Sequence, residues 1–255
     1  YEHVDQDGID DTANASTLKT RLTWQSGSYK GWFTKVEVDN VTAIGGENYN
    51  STVNGNVQYP VVADPTDTDL NQAFIGYKSG NTTFYAGRQR IVHGNQRFVG
   101  GVAWRQNEQT FDGYRITYND KKHLSVDYSY VYNVNRIFGP DGPRADLKGD
   151  IHLFNASYAF NKQHKASFYA YNMDFDTAFA LANRTFGVSY DGKFNNIGVH
   201  LAFATQSDTG DNPTDYSTEY WNVEVNGKVA NVTLGAGMES LGSDNGKGFV
   251  TPLAT

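Results

Sequence analysis

From residue 15 onward the chain alternates apolar and polar positions with a period of two. In ASTLKTRLTWQS (15–26), Leu18, Thr20, Leu22 and Trp24 share one face, while Lys19, Arg21, Thr23 and Gln25 share the other. Trp32, Thr34, Val36 and Val38 then line up opposite Lys35, Glu37 and Asp39. In HLSVDYSYVYNVN, Leu124, Val126, Tyr128, Tyr130, Tyr132 and Val134 stand opposite Ser125, Asp127, Ser129, Asn133 and Asn135. Such spacing predicts strands with one apolar and one polar face. The same pattern recurs to the end of the chain and gives about thirteen strands, counting a stub at YEHVDQ, each near the roughly 9–11 residues that cross a membrane.

The connections alternate as well. Short turns at GSYKG, SGN, NDKK, NKQHK, KFNN and NGK take turns with longer loops such as RIFGPDGPRADLKGD and SDTGDNPTDYS. Up-and-down barrels of the outer membrane sort their connections this way, whereas a Greek-key sandwich has no reason to. The expected fold is therefore all-β: a transmembrane antiparallel up-and-down β-barrel, one partial domain over residues 1–255. An odd strand number leaves an edge unpaired in lipid, so the sequence reads as a piece of a larger barrel. YEHVDQDG has neither the basic start nor the apolar centre of a signal peptide.

Composition supports a wet lumen with an aromatic exterior. Aromatics make up 14% of a chain of negative mean hydropathy and formal charge −7. That charge argues against general nucleic-acid binding. No Cys is present, so neither disulfides nor thiolate metal sites can form. The six His fall on separate segments without ligand spacing, and no nucleophile-elbow, P-loop or dinucleotide fingerprint occurs. Neither a metal nor a cofactor is expected. Asp5, Asp7, Asp10 and Asp11 lack the closing Glu of a calcium loop; with Asp64, Asp67 and Asp69 they read as hydrated acidic loops.

Cations gather in AGRQRIVHGNQRFVGGVAWRQNEQTFDG (86–113) and the strand beyond it. If Leu22 and Trp24 face lipid, parity turns Lys19, Arg21, Lys35 and Arg115 inward. Arg88 and Arg90 share parity with Phe84 and Ala86, but a lipid-facing charge at mid-membrane costs about 2–4 kcal/mol, so both are expected inside. Arg97 and Arg105 lie in the long connection, as mouth or constriction residues or as solvated loop charges. A guanidinium fork fits a carboxylate with two parallel hydrogen bonds, and a row of forks could pass an anionic polymer along. The competing reading is an internal ladder in which the cations neutralise Glu37, Asp39, Asp127 and Glu224.

The segments GRQRIVHGNQRFVGGVAWRQNEQTFDG, YEHVDQDG, STLKTRLTWQ, YPVVADPTDTDLNQAFIGYK and FVTPLAT resemble, in order, the alginate export family of outer-membrane proteins. The resemblance implies a monomeric barrel of about eighteen strands in the outer membrane of a Gram-negative bacterium. It also implies passage of an anionic uronate polymer along a basic lumen. The leading expectation is a cofactor-free porin for an alginate-like polysaccharide or oligosaccharide. The alternatives are a general porin without polyuronate selectivity, a lyase or hydrolase on a β-scaffold, and an adhesin acting through its loops. For an enzyme, Glu37 and Asp39 share a face, but no Tyr or His is fixed beside them by sequence.

Overall fold

The computed structural model describes residues 1–255. A short ribbon pairs β1 (Glu2–Val4) with β2 (Ala13–Ala15). One antiparallel sheet of 12 strands follows. It holds β3 (Thr17–Gln25), β4 (Trp32–Ala43), β5 (Asp67–Ser79), β6 (Thr82–Gln89), β7 (Thr110–Asn119) and β8 (Leu124–Asn135). It continues through β9 (Asp146–Ala159), β10 (His164–Phe175), β11 (Asn183–Phe194), β12 (Ile197–Asp208), β13 (Ser217–Val229) and β14 (Val232–Leu241). Each strand of this wall pairs only with its neighbours in sequence. A hairpin of β15 (Ser243–Asp244) and β16 (Lys247–Gly248) precedes the final residues, and the sole helix is one 3-10 turn at Phe179–Leu181. The stub at residues 2–4 thus belongs to the ribbon, and the wall has twelve strands rather than the thirteen expected.

Short turns work because their residues accept a left-handed backbone. Ser79 pairs with Thr82, so Gly80 and Asn81 alone reverse the chain, with Gly80 at φ 57°. Tight two-residue turns need positive φ there, which matches the twist of the strands they join. Asn195 and Ala230 take φ 56° and 54° in two later turns.

The outer face is the apolar band that alternation predicts. Leu22, Trp24, Tyr128, Leu201, Val223 and Leu234 are exposed on it, and Tyr130 and Val199 are half-buried. One departure comes from a bulge between Val131 and Asn133. An extra residue reverses parity beyond it. Val134 therefore turns inward and packs, fully buried, with Phe111 and Val131.

The inner face is not polar throughout, as the alternation suggested. Ile151, Leu153, Tyr169, Tyr171, Met173 and Phe175 line the concave side of β9 and β10 and are buried. They are covered by Ile91, Phe98 and Val99 of the connection at 90–109 and by Phe249 and Leu253 of the tail. The largest apolar core therefore sits inside the sheet's curvature, under a loop, and the outer band takes no part in it.

An arginine at outward Leu22 should cost about 2–4 kcal/mol of folding free energy, against far less for the same change at inward Gln25. Urea titration of folding into lipid vesicles measures the difference.

Candidate functional site: a loop folded across the lumen

The connection at 90–109 leaves the end of β6, crosses the concave side and returns to β7. Its two arms reach opposite edges of the sheet. Arg97 donates from Nε and Nη2 to the carboxylate of Glu239 on β14 at 2.7 and 3.2 Å. At the other side Arg105 meets Glu2 of β1 at 2.7 Å, its guanidinium stacked 4.3 Å from the Trp104 ring. The Gln106 amide donates to Asp64 at 3.1 Å, and its side chain donates to Thr17 Oγ1 at 2.7 Å. Backbone bonds from Gly100 to Leu253 and from Thr255 to Gln96 fasten the tail beneath the loop. Arg97 and Arg105, left open between mouth, constriction and solvated loop charges, are thus two anchors of an in-folded loop.

At its two ends, through Arg90 and Glu108, the loop is fixed to β3–β5 by a compact ionic cluster. Arg21 donates to both oxygens of Asp39 at 2.7 and 2.6 Å and reaches Glu108 of the loop at 2.9 Å. Arg90 donates to Glu108 and lies 3.4 Å from Glu37. Lys19 adds Asp39 at 3.1 Å, and Lys35 adds Glu37 at 3.3 Å. Thr23, Asn71 and Gln72 donate the remaining hydrogen bonds to Glu37, at 2.7, 2.8 and 2.8 Å. A buried carboxylate needs this degree of satisfaction to stay ionised.

The cluster is layered. The side chains of Glu37, Asp39 and Glu108 are 4%, 3% and 5% exposed, whereas those of Arg21 and Arg90 are 28% and 30% exposed and that of Lys19 is 18%. The carboxylates lie behind, and the cations form the surface that meets water. Burial alone would raise the Glu108 carboxyl, but hydrogen bonds from Arg90 and Asn71 and the charge of Arg21 hold it below its ordinary range. Asp64 goes the other way: burial pushes its carboxyl up despite the Gln106 amide and Arg105. It is a buried loop anchor, so the expectation of a hydrated acidic loop there is corrected. No three His, Asp or Glu side chains converge as metal ligands.

Arg115 is inward on β7, hydrogen-bonded through Nε to both oxygens of Asp127 at 3.0 Å, with His93 3.6 Å from the same acid. Arg88 differs from expectation. Its register partners are Ala73 and Asp112, in line with Ala86 and Tyr114, so it lies on the outward face and not in the lumen. Only one residue of β6 lies beyond it, at the end that carries the long loops. The mid-membrane cost that argued for an inward Arg88 fades near the interface. Asp112 also accepts two bonds from it, at 2.8 and 3.1 Å. Arg90 shares its parity but follows the last residue of β6, where the chain turns in. Sequence reasoning missed Glu108, the acid that joins Arg21 to Arg90; its only signal was an acid in the Arg-rich connection.

Comparisons agree with this architecture. The sequence matches the alginate export family over residues 10–235. The chain belongs to that family. Its open twelve-stranded sheet is part of an integral β-barrel of the bacterial outer membrane, and the family is one of channels rather than enzymes. Comparison with curated protein sequences gave no match. Among solved structures, OccAB4 of Acinetobacter baumannii aligns with TM-score 0.69 and 15% identity over 94% of the chain and 65% of its own. OpdK of Pseudomonas aeruginosa, solved with vanillate, aligns with TM-score 0.72 and 11% identity over 91% and 62%. OpdL of Pseudomonas aeruginosa gives 0.67 and 15% over 96% and 65%. The chain thus spans just under two thirds of the length of these barrels, and the likeness is one of fold.

The lowered Glu108 pKa fixes a direction for acid sensitivity. A folded pKa below the unfolded value, near 4.3, stabilises the pinned loop above that pH and loses the contribution as pH falls toward the folded value. Protease cleavage within 91–109 should therefore rise below about pH 4. Glu108→Gln should show raised cleavage already at neutral pH, with the acid step diminished.

Proposed function

We propose that the protein is a passive, monomeric outer-membrane channel for an anionic, alginate-like oligosaccharide or polysaccharide, working without cofactor or covalent change. The observation that carries this reading is the layering at the loop: four cations, Lys19, Arg21, Lys35 and Arg90, stand in front of three buried carboxylates. Charge exposed to the lumen is felt by a passing ion more strongly than charge buried behind it. A wall of this kind attracts carboxylates along the path. Because its guanidinium groups already hold partners, it does not clamp them, and weak binding is what passage needs. The family's description points to the same substrate class, and one similar barrel was solved with a small aromatic carboxylate.

A general porin without polyuronate selectivity is the second reading, and full pairing of the arginines favours it. Arg21 and Arg115 each share two hydrogen bonds with one acid, so neither lumen arginine offers a free fork. Free forks in a row were the expectation; a paired ladder stands in their place.

Planar-bilayer recordings distinguish the two. Uronate oligomers should block the channel longer than neutral oligomers of equal length, and Arg90→Ala or Lys19→Ala should shorten the uronate blocks severalfold. The preference should fade as salt rises, because the screening length falls from about 10 Å at 0.1 M to about 3 Å at 1 M. Equal blockage by charged and neutral sugars, unchanged by either substitution, would leave only the general porin.

A further inference from the structure

On the inner face of β4–β7, toward the short-turn end and beside the ionic cluster, the polar pattern is interrupted by aromatics. Phe33 and Gly76 are register partners, as are Gly76 and Tyr85, and Tyr85 and Arg115, so the four form one cross-strand row. The adjacent row runs Lys35, Phe74, Gly87 and Gly113. Phe33, Phe74 and Tyr85 meet edge to face, with centroids 5.6 to 6.3 Å apart and planes at 72° to 90°. Phe33 lies over Gly76, where an added Cβ would come within 2.2 Å of its ring. All three rings are half-buried, so each keeps surface open to the lumen. Gly87 and Gly113 carry no side chains in the row beyond Phe74, and an added Cβ there would come within 2.3 and 2.1 Å of neighbouring backbone oxygens.

Cations flank this patch. Lys35 faces Phe74 directly across the ladder, and the Arg115 guanidinium lies 5.7 Å from the Tyr85 centroid. Lys35 has one acid partner, at 3.3 Å, and an ammonium carries three donors, so it can take a further acceptor. The Tyr169 and Tyr171 rings farther along the inner wall are, by contrast, buried under Phe98.

We propose that Phe33, Phe74 and Tyr85, with Lys35, form a docking subsite for a single uronate ring of a passing saccharide. The apolar C–H surface of the pyranose lies against the aromatic rings, and its carboxylate takes a hydrogen bond from Lys35. A neutral ring uses the same surface without the second contact. The assignment rests on the channel reading only in requiring sugars to enter the lumen; it does not require that the Arg21 and Arg90 cluster attract anions.

The test is residence time in single-channel recordings of the reconstituted protein, with trimannuronate, mannotriose and vanillate as probes. Phe33→Leu and Tyr85→Leu keep an apolar residue but remove the ring. Each should shorten residence of both trisaccharides about fivefold, the scale of one lost aromatic contact. Lys35→Gln should shorten trimannuronate alone. Heat-modifiable migration checks folding, and Phe74→Leu serves as a third ring deletion should either of the others fail to fold. Unchanged residence of both sugars in two folded ring deletions overturns the subsite, even where anion preference persists. A response confined to vanillate overturns it too, because the patch would then read aromatic carboxylates. Unchanged trimannuronate residence in Lys35→Gln overturns the uronate assignment. A residence that responds to Lys35→Gln and to the ring deletions but not to Arg90→Ala or Lys19→Ala removes the anion-channel reading and leaves the subsite standing.

Discussion

Lipid offers no partner to a backbone amide, and the rest of this structure follows from that constraint. A strand that crosses the membrane needs partners at its edges, so the chain pairs each strand with the next, leaving one edge free only at β3 and β14, and confines its long connections to one end. The pleat then sends alternate side chains to lipid and to the lumen. Polar residues acquire a shared interior that neither propensity nor local sequence could have made. Within it, charges from distant strands come into range of each other. Arg97 and Glu239 are 142 positions apart and meet only because the sheet curves.

The connection at 90–109 uses that interior as a second folding environment. Its apolar residues Ile91, Phe98 and Val99 pack on an inner wall of Tyr, Leu and Ile, and its charged residues find acids and bases on both edges of the sheet. An apolar inner wall is unusual beside water, and it is tolerated here because the loop and the tail cover it. The loop in turn holds its shape because the wall supplies burial and Glu108 supplies a buried charge that two arginines must face.

Most of the wall was legible in the sequence because period-two alternation is a local property. Leu22 and Lys19, or Tyr128 and Asp127, declare their faces within a few residues. Three things were not legible. The bulge at Tyr132 inserts one residue without any change in composition, and so Val134 was assigned to the wrong side. The sequence of Arg88 does not tell how near the membrane edge it lies, so a midplane cost was applied to a residue at the rim. The inner apolar wall left a trace in IHLF and FYAY, where both faces carry apolar side chains. That trace has meaning only once a covering loop is known. The site was legible as a concentration of cations but not as an arrangement, because Glu108 reaches Arg21 and Arg90 only through the loop's path.

Pairing is often taken to cancel a charge, but the geometry here separates neutralisation from display. A carboxylate moved from water into a protein wall loses hydration that only close donors can restore, and the cluster restores it with Arg21, Arg90, Lys19, Lys35 and three side-chain amides or hydroxyls. The short amides Asn71 and Gln72 reach Glu37 from within the sheet, and the long cationic side chains reach the acids from the open side. Burying the acid that fixes the loop therefore forces the cations to be the layer that faces water. The loop anchor and the positive wall are one arrangement, and any change that frees the loop also alters the charge a permeating molecule meets.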